Sequence, residues 1–342
     1  MIVFSQAVIQ WQKEFGRHHL PWQQTRDPYK VWLSEIMLQQ TQVTTVIPYF
    51  VRFLNRFPTI TSLAEAHQDQ VLELWAGLGY YSRARNLHHA AQQITSRYNS
   101  TFPIEQELRE QLPGIGKSTA GAIGVFAFNQ RLPILDGNVK RVLTRYFAIE
   151  GNIYSKEIER KLWELAESLL PDDNIVAYTQ GLMDLGATIC TRTAPLCRVC
   201  PLVSECRAKH SNTIDRYPER KKKVVVQVVK LTVLIIEHEK HYYLIKRNKN
   251  IWKNLWAFPM VEEPVDTQQW LTQQHIQAQL KTTYPKLKHQ LTHRTLELSV
   301  EHWQVEQQFS NQLTSEGLWL TVDQIQQKAI PVAMNKILTY LL

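Results

Sequence analysis

Apolar residues recur with a helical period over the first two thirds of the chain. Residues 71–78 and 158–169, for example, place most of their apolar side chains on one face of a helix. Short breaks that contain proline or glycine, such as Pro113-Gly114, separate these segments. The pattern predicts a nearly all-α domain over residues 1–216.

The pattern changes after a basic, proline-bearing stretch at residues 217–223, which we predict to be a linker. Beyond it, runs of β-branched residues replace the helical period. We therefore predict an α+β domain over residues 224–342. Its predicted elements are strands over 224–236, 242–245 and parts of 287–304, a helix over about 266–280 and a closing helix over 332–342.

The charge balance and the lack of long apolar stretches narrow the class of protein. The 342 residues include 39 lysines and arginines against 31 aspartates and glutamates, a net charge of +8. A basic surface favours a polyanionic partner such as nucleic acid. No run approaches the roughly 18 apolar residues that span a membrane, and the N-terminus lacks the features of a secretory signal. We expect an intracellular, cytoplasmic protein that does not associate with membranes.

All four cysteines, Cys190, Cys197, Cys200 and Cys206, lie within one short segment. Such clustering is typical of a metal site in a reducing compartment rather than of a disulfide framework. Zinc ribbons usually contain two C-x2-C pairs, whereas here one pair is flanked by single cysteines. The spacing of this loop, residues 190–206, favours a [4Fe–4S] cluster and leaves zinc as the alternative. The basic residues that surround and follow the loop are suited to hold phosphates.

A turn that contains Gly114 and Gly116 predicts a helix-hairpin-helix motif over about residues 108–124. The turn looks like a P-loop, but Gln111 stands where that motif requires glycine, and the preceding residues are helical instead of forming a strand. The two glycines instead turn one helix into the next, whose first backbone N–H groups stay free to bind a phosphodiester.

Two carboxylates stand in contrasting surroundings. Asp136 directly precedes an amphipathic helix, so we expect the helix dipole and nearby N–H groups to keep it ionised. Glu35 lies in a helix crowded with apolar residues, where burial would raise its pKa and keep it protonated. Each has a structural alternative, a helix N-cap for Asp136 and a surface carboxylate for Glu35.

Several motifs together resemble those of the adenine DNA glycosylases of the MutY type, in the helix-hairpin-helix superfamily that includes endonuclease III. They occur in that family's order over about residues 20–206. The matching segments are Leu20-Pro21-Trp22, residues 34–42, 77–81, 112–122, 135–141 and 183–187, and the cysteine loop.

The resemblance assigns roles to individual residues. It implies a monofunctional adenine glycosylase in which Glu35 protonates the adenine and Asp136 stabilises the positively charged sugar, as in retaining glycoside hydrolysis. Gln40 and Tyr80 match residues that enter the duplex when the base is extruded. Ser118 stands where lyases of the superfamily carry a Schiff-base lysine, so little or no lyase activity is expected. The candidate DNA-binding residues are Gln40, Tyr80, Gly114, Gly116, Lys117 and Ser118.

The C-terminal region resembles the Nudix-like domain of the same family, which recognises 8-oxoguanine opposite the adenine. Residues 251–259 match its tryptophan-rich loop, but the metal-binding box of Nudix hydrolases is missing, so no phosphohydrolase activity is expected. Family members often carry Phe-Ser-His where this chain has Leu291, Thr292 and His293. The resemblance implies lesion recognition by Thr292 and His293, without the aromatic ring.

The expected architecture is multi-domain, α and α+β: an all-α helix-hairpin-helix glycosylase domain with an iron–sulfur loop, then a Nudix-like α+β domain. The expected partner is duplex DNA with adenine opposite 8-oxoguanine or guanine, bound by a monomer with a [4Fe–4S] cofactor. Two alternatives stay open. One is a glycosylase for thymine or oxidised pyrimidines, although those branches generally lack the C-terminal domain. The other is a non-catalytic iron–sulfur DNA-binding protein.

Overall fold

A computed structural model describes residues 4–219, 226–248, 251–291, 293–308 and 316–342. Contacts divide them into two compact units. One contains the described residues up to Glu65 and from Asn86 to Glu219, and the other contains Ala66–Arg85 and the described residues from Val226 onward. The first is helical and the second is built on a sheet, which confirms the predicted α and α+β classes. The domain limits at 1–216 and 224–342 stay a prediction.

Helices account for most of the chain up to residue 216. The α-helices there are α1 (Phe4–Phe15), α2 (Pro28–Leu38), α3 (Val43–Arg56), α4 (Ile60–Ala64), α5 (Gln68–Trp75), α6 (Ser82–Tyr98), α7 (Gln106–Glu110), α8 (Lys117–Phe128), α9 (Gly137–Phe147), α10 (Lys156–Ser168), α11 (Ile175–Asp184) and α12 (Arg207–His210). Single 3-10 turns cover Pro21–Gln24, Cys197–Val199, Val203–Glu205 and Ile214–Arg216, and a π-turn covers Leu185–Ile189. Across the described ranges, no helix is long and apolar enough to cross a membrane.

Helix α2 shows how the local sequence builds the first unit. Asp27 caps its N-terminus by accepting a hydrogen bond from the Tyr29 N–H at 2.9 Å, and Pro28 occupies the first turn, where an N–H would lack a partner. Most side chains of α2 are buried, Trp32 completely, and the helix packs against α8. Glu35 is therefore carried into the interior by its neighbours.

Helix α8 lies against the extended chain that leads into α9. A Cβ atom on Gly121 would lie 2.5 Å from Pro133 O, so only glycine lets the two segments approach this closely. The Leu135 N–H donates to Ser118 Oγ at 3.0 Å and ties the same segments together. These contacts fix the chain just before Asp136.

A mixed sheet forms the core of the second unit. Its strands are β1 (Gln227–His238), β2 (His241–Lys246), β3 (Trp256–Ala257), β4 (Met260–Glu262), β5 (Ala278–Gln290), β6 (Arg294–Val305) and β7 (Gly317–Leu320). The order is β3-β2-β1-β6-β5, with β4 also paired to β1 and β7 to β2. Strands β1 and β6 run parallel and the other pairs are antiparallel. The helices of this region are α13 (Thr267–Gln273), α14 (Val322–Gln326) and α15 (Val332–Leu338).

Strand β1 is buried on both faces over most of its length. Val233 packs in a cluster with β6 and α15, whereas the next residue, Leu234, packs on the opposite face with α13. A central strand with two buried faces has a continuous apolar run instead of an alternating one. This is the run from which the sequence predicted a strand.

The predicted helix over about residues 266–280 is wrong in its second half. Asp266 caps α13, but the helix ends at Gln273, and His275 turns the chain at φ +59°. Residues from Ala278 onward then belong to β5 and pair with β6. Pairing with a long neighbouring strand outweighs the local helical preference of this segment.

Helix α5 and the loop after it, Ala66–Arg85, pack in the second unit. Asp69 forms an ion pair with Lys246 of β2 at 3.1 Å. Arg85 Nη1 donates a hydrogen bond to Lys253 O, also at 3.1 Å. The helical period of this segment predicts that it forms a helix. The period does not indicate that this helix packs against a sheet.

Candidate active site

A cavity in the first unit contains most of the predicted chemistry. Its volume is about 1520 Å³, and it is lined by residues of α2, α8, α9 and α11, with smaller contributions from α1, α3 and the loops between the helices. Glu35, Gln40, Ser118 and Asp136 are all part of its lining. The fold therefore brings together side chains that lie far apart in the sequence.

Glu35 has the properties of a proton donor. Burial and, to a smaller extent, the nearby negative charge of Asp136 raise the pKa of Glu35 to about 7. The predicted direction of the shift is confirmed. Near neutral pH, a large fraction of Glu35 carries a proton.

Asp136 is the N-cap of α9. Its carboxylate accepts hydrogen bonds from the Val139 N–H at 2.8 Å and from Asn138 Nδ2 at 3.2 Å. Burial raises the pKa of Asp136, and these hydrogen bonds and the Arg141 guanidinium lower it only in part. The N–H groups at the helix terminus act in the expected direction, since they favour the ionised form, but desolvation outweighs their effect on the pKa.

The two carboxyl groups are coupled, because two negative charges in one buried site repel each other. Asp136 is the better anion of the pair, since it accepts two hydrogen bonds and lies near a guanidinium. For Glu35, burial and the neighbouring negative charge of Asp136 both raise the pKa and so favour the neutral form. The pair therefore favours a neutral Glu35 beside an ionised Asp136.

A chain of hydrogen bonds leads from Asp136 to the cysteine loop. Asn138 donates to Asp136, Arg141 Nη2 donates to Asn138 Oδ1 at 2.8 Å, and Arg141 Nε donates to Cys190 O at 2.7 Å. A Cβ atom on Gly186 would lie 2.5 Å from the Cβ of Asn138, so this approach also requires glycine. The chain of contacts fixes the orientation of the Asp136 carboxylate.

The turn predicted as a helix-hairpin-helix motif connects α7 and α8. Gly114 makes the turn at φ +80°, and Gly116 precedes the first turn of α8, which has no side-chain cap. Lys117 Nζ lies 4.3 Å from the centre of the Trp163 ring, within cation–π distance. Ser118 Oγ accepts a hydrogen bond from the chain before α9. Within this turn, the uncapped N–H groups at the start of α8 are therefore the groups best suited to donate hydrogen bonds to a phosphate.

Gln40 and Tyr80, the residues expected to enter the duplex, both have a left-handed backbone, with φ of 59° and 49°. Gln40 lines the cavity of the first unit. Tyr80 belongs to the second unit and is 43% exposed. Residues other than glycine rarely adopt this conformation, and such residues concentrate at functional sites.

The four cysteines are half-buried and form no disulfide. Burial and, to a smaller extent, repulsion from Cys190, Cys206 and Cys197 together raise the pKa of Cys200 to about 12, so these three sulfurs lie within electrostatic range of Cys200. Among the described residues, no three histidine, cysteine or acidic side chains are grouped closely enough to hold a metal ion.

Arg145, a buried residue of α9, holds the cysteine loop. Its Nη1 donates to Thr191 O at 2.7 Å and to Cys190 Sγ at 3.4 Å, and its Nε donates to Tyr217 O at 3.0 Å. The Cys206 thiol donates to Arg145 O at 3.6 Å. Sequence reasoning missed this residue, because a lone arginine on an amphipathic helix is usually exposed.

The residues predicted to recognise the lesion belong to the second unit. Thr292 lies outside the described residues. His293 is exposed and lies at the turn between β5 and β6. Near this turn, the His289 ring lies 5.7 Å from the ring of Trp252, so the tryptophan-rich loop is a neighbour of the hairpin.

Two further residues line the cavity and were missed. Gln23 Nε2 is buried without a hydrogen-bond partner among the described residues, which suits it to donate to a bound ligand. Arg17 forms an ion pair with the buried Asp184 at 2.6 Å. In the sequence, the one signal that could have identified them as site residues is that they lie close to segments that match the family motifs.

Comparison with known proteins decides the family. The profile of the HhH-GPD superfamily of base excision DNA repair proteins matches residues 33–168, and the NUDIX domain profile matches residues 231–340. The chain is 40% identical over 343 residues to the adenine DNA glycosylase of Buchnera aphidicola subsp. Baizongia pistaciae, covering 99% of this chain and 96% of that one. This chain belongs to the adenine DNA glycosylase family. It is also 42% identical over 215 residues to the adenine DNA glycosylase of Homo sapiens, covering 60% of this chain and 39% of that one.

Solved structures agree with this fold. The structure of a thermostable thymine-DNA glycosylase has a TM-score of 0.56 at 28% identity, covering 61% of this chain and 95% of that one. Endonuclease III trapped as a covalent intermediate with DNA has a TM-score of 0.52 at 20% identity, covering 60% of this chain and 95% of that one. The family models and the related adenine DNA glycosylases show that the glycosylase is an enzyme of base excision repair with a helix-hairpin-helix domain and a Nudix-like domain, as its motifs predicted.

Removal of the Glu35 carboxyl group is expected to stabilise the glycosylase at alkaline pH. The pKa of Glu35 is raised in the folded state, so folding is penalised once the pH exceeds the ordinary glutamate value, and the penalty is complete above about pH 7. Relative to the wild type, Glu35→Gln should gain about 3 kcal/mol of unfolding free energy between about pH 4 and about pH 8.5. Urea denaturation at both pH values measures the gain.

The exposed Glu167 provides the matched control, because Glu167→Gln removes the same carboxylate charge from the surface. A Glu35→Gln stability difference that stays constant across this pH range, as expected for the control, would contradict the burial of an ionisable Glu35.

Proposed function

We propose that the glycosylase hydrolyses the N-glycosidic bond of adenine mispaired with 8-oxoguanine or guanine in duplex DNA. The observation that carries the proposal is that Glu35 and Asp136 line one cavity, with burial raising the pKa of Glu35 to about 7. A carboxyl group that holds a proton and a second one that carries charge are what cleavage of a glycosidic bond requires.

The reaction begins with the proton on Glu35. The Glu35 O–H donates to a ring nitrogen of the extruded adenine, the bond from the base to C1′ breaks, and its electron pair leaves with the base. The Asp136 carboxylate stabilises the oxocarbenium-like sugar through its charge or by transient attachment. A water molecule then adds at C1′ and gives its proton to Glu35, which restores both groups.

The adenine must leave the base stack to reach these groups, at a cost of a few kcal/mol that is smallest at a mismatch. We assign insertion into the duplex to Gln40 and Tyr80, whose left-handed backbones support such a role. The turn of Gly114 and Gly116, with Lys117 beside it, binds the phosphodiester backbone through the N–H groups of α8. We propose that the protein binds DNA as a monomer and works in the intracellular, cytoplasmic compartment that contains the genome.

Ser118 explains why we propose a monofunctional glycosylase. A hydroxyl cannot form the imine that lyase chemistry needs. Its oxygen instead accepts the Leu135 N–H and supports the chain before Asp136. Lys117, the neighbouring amine, lies over the Trp163 ring.

Recognition of the base opposite the adenine is assigned to the second unit. His293 is exposed at the tip of the hairpin of β5 and β6, where its ring can reach a partner. Thr292 keeps its proposed role from the sequence motif alone.

We propose a [4Fe–4S] cluster held by Cys190, Cys197, Cys200 and Cys206. Half-buried thiols without disulfides fit this group, and backbone N–H groups are directed at Cys200 and Cys206, as is common around cluster sulfurs. When bound, the cluster would hold the loop that Arg141 contacts.

Adenine release from defined duplexes tests the proposed function. The purified glycosylase should release adenine opposite 8-oxoguanine and guanine, faster than opposite cytosine or thymine, without strand scission. Glu35→Gln and Asp136→Asn should each slow release by at least about 100-fold, the range expected for loss of a general acid or of transition-state charge stabilisation. Binding to the mispaired duplex should persist in both variants.

Near-normal release by either variant would remove that carboxylate from the mechanism, and release of thymine opposite guanine would favour the alternative substrate class. Glu167→Gln again serves as the matched control. In the same assay, His293→Ala should reduce the preference for 8-oxoguanine over guanine, and an unchanged preference would contradict its assigned role.

Metal analysis distinguishes the two proposed cofactors. The purified protein should contain about four iron atoms and four acid-labile sulfides per chain, since four cysteines match one cubane. One zinc ion per chain and no sulfide would overturn the cluster.

A further inference from the structure

Helix α5 is attached to the sheet unit by paired charges. Asp69 meets Lys246 of β2 at 3.1 Å, and Glu73 meets Lys328, just after α14, at 3.7 Å. Asn254 of the tryptophan-rich loop donates to Gln68 at 2.7 Å. A helix of only eight residues has little stability of its own, so its position depends on these polar contacts together with the burial of Val71, Leu72 and Trp75.

Lys246 is the least exposed of the four charged residues in these two ion pairs. Its side chain is only 18% exposed. Besides Asp69, its ammonium group contacts Glu316 at 3.2 Å and lies 5.8 Å from the centre of the Trp256 ring. Hydrogen bonds to both carboxylates raise the pKa of Lys246, although burial opposes the shift. The charged lysine therefore links β2, β3 and α5.

The loop after α5 is held as firmly as the helix. Trp75 Nε1 donates to Gly79 O at 3.1 Å, and Arg83 Nη2 donates to the same oxygen at 3.2 Å. The Tyr81 hydroxyl donates to Ile330 O, in the chain before α15, at 3.4 Å. The carbonyl of Gly79 is thus fixed from two sides, directly before Tyr80.

Tyr80 is presented to solvent by this loop. Its backbone is left-handed, it is 43% exposed, and the Arg83 guanidinium lies 5.4 Å from the centre of its ring. A strained backbone persists only where its surroundings impose it. Here those surroundings belong to the unit that contains the sheet.

We propose that Lys246 is a positioning residue for the insertion of Tyr80 into DNA, acting through Asp69 and α5. The inference rests on the proposed function, in which Tyr80 enters the duplex. It adds that the sheet unit, which also carries His293, holds the inserted side chain in place. The residues that contact the base opposite the adenine and the residue that unstacks the duplex then belong to one compact unit, so that binding of either one to DNA favours binding of the other.

Unstacking of the duplex can be measured separately from adenine release. A 2-aminopurine placed next to the mispair becomes brighter when a side chain separates it from its neighbour. Lys246→Met should reduce this signal on binding and slow single-turnover adenine release by about fivefold, the factor expected for loss of a partly buried ion pair. Lys246→Arg should retain both, because the positive charge remains.

Two further variants control the result. Asp69→Asn breaks the same contact from the helix side and leaves Lys246 paired with Glu316, so it should reproduce the loss even if Lys246→Met folds poorly. Lys240→Met removes an exposed lysine from the turn between β1 and β2 and should change neither signal nor rate.

A double-mutant cycle with Tyr80→Ala decides the inference. If Lys246 acts through Tyr80, then Lys246→Met should cause no further loss in the Tyr80→Ala background. A further loss of about the same factor, or a normal 2-aminopurine signal in Lys246→Met, would overturn the inference and leave the proposed function intact. A Tyr80→Ala variant with normal signal and rate would instead remove Tyr80 from the proposed function, and the inference with it.

Discussion

One constraint dominates this structure: two carboxyl groups share a buried site and cannot both be charged at low cost. Glu35 and Asp136 line the same cavity, and each is pushed toward its neutral form by burial. The hydrogen bonds to Asp136 stabilise its charged form, so that the proton stays on Glu35. The chemistry proposed for the glycosylase follows from that difference between two otherwise similar side chains.

The surrounding fold maintains this arrangement through close backbone approach. Gly121 lets α8 touch the chain that leads to Asp136, and Gly186 lets the π-turn just before the cysteine loop approach Asn138. Arg141 and Arg145 of α9 then bind the loop from the same helix that Asp136 caps. The loop and the carboxylate are consequently parts of one packed structure, in which a change at one alters the other.

Much of this could be predicted from the sequence. The contrast between an apolar helix around Glu35 and a helix start at Asp136 identified both carboxylates, and the apolar run of β1 identified the sheet. The net pKa shift of Asp136 could not be predicted, because it depends on burial by residues distant in sequence. Nor could the packing of α5, since the ion pair of Asp69 with Lys246 joins segments about 180 residues apart, and local periodicity contains no information about such partners.

The most direct test of the central claim is the pH dependence of single-turnover adenine release from an 8-oxoguanine duplex. If Glu35 supplies the proton, the rate should fall about tenfold for each pH unit above about 7, because only the protonated fraction reacts. A rate that stays level from about pH 6 to about pH 9 would contradict the account, since no group with the raised pKa of Glu35 would then control the reaction.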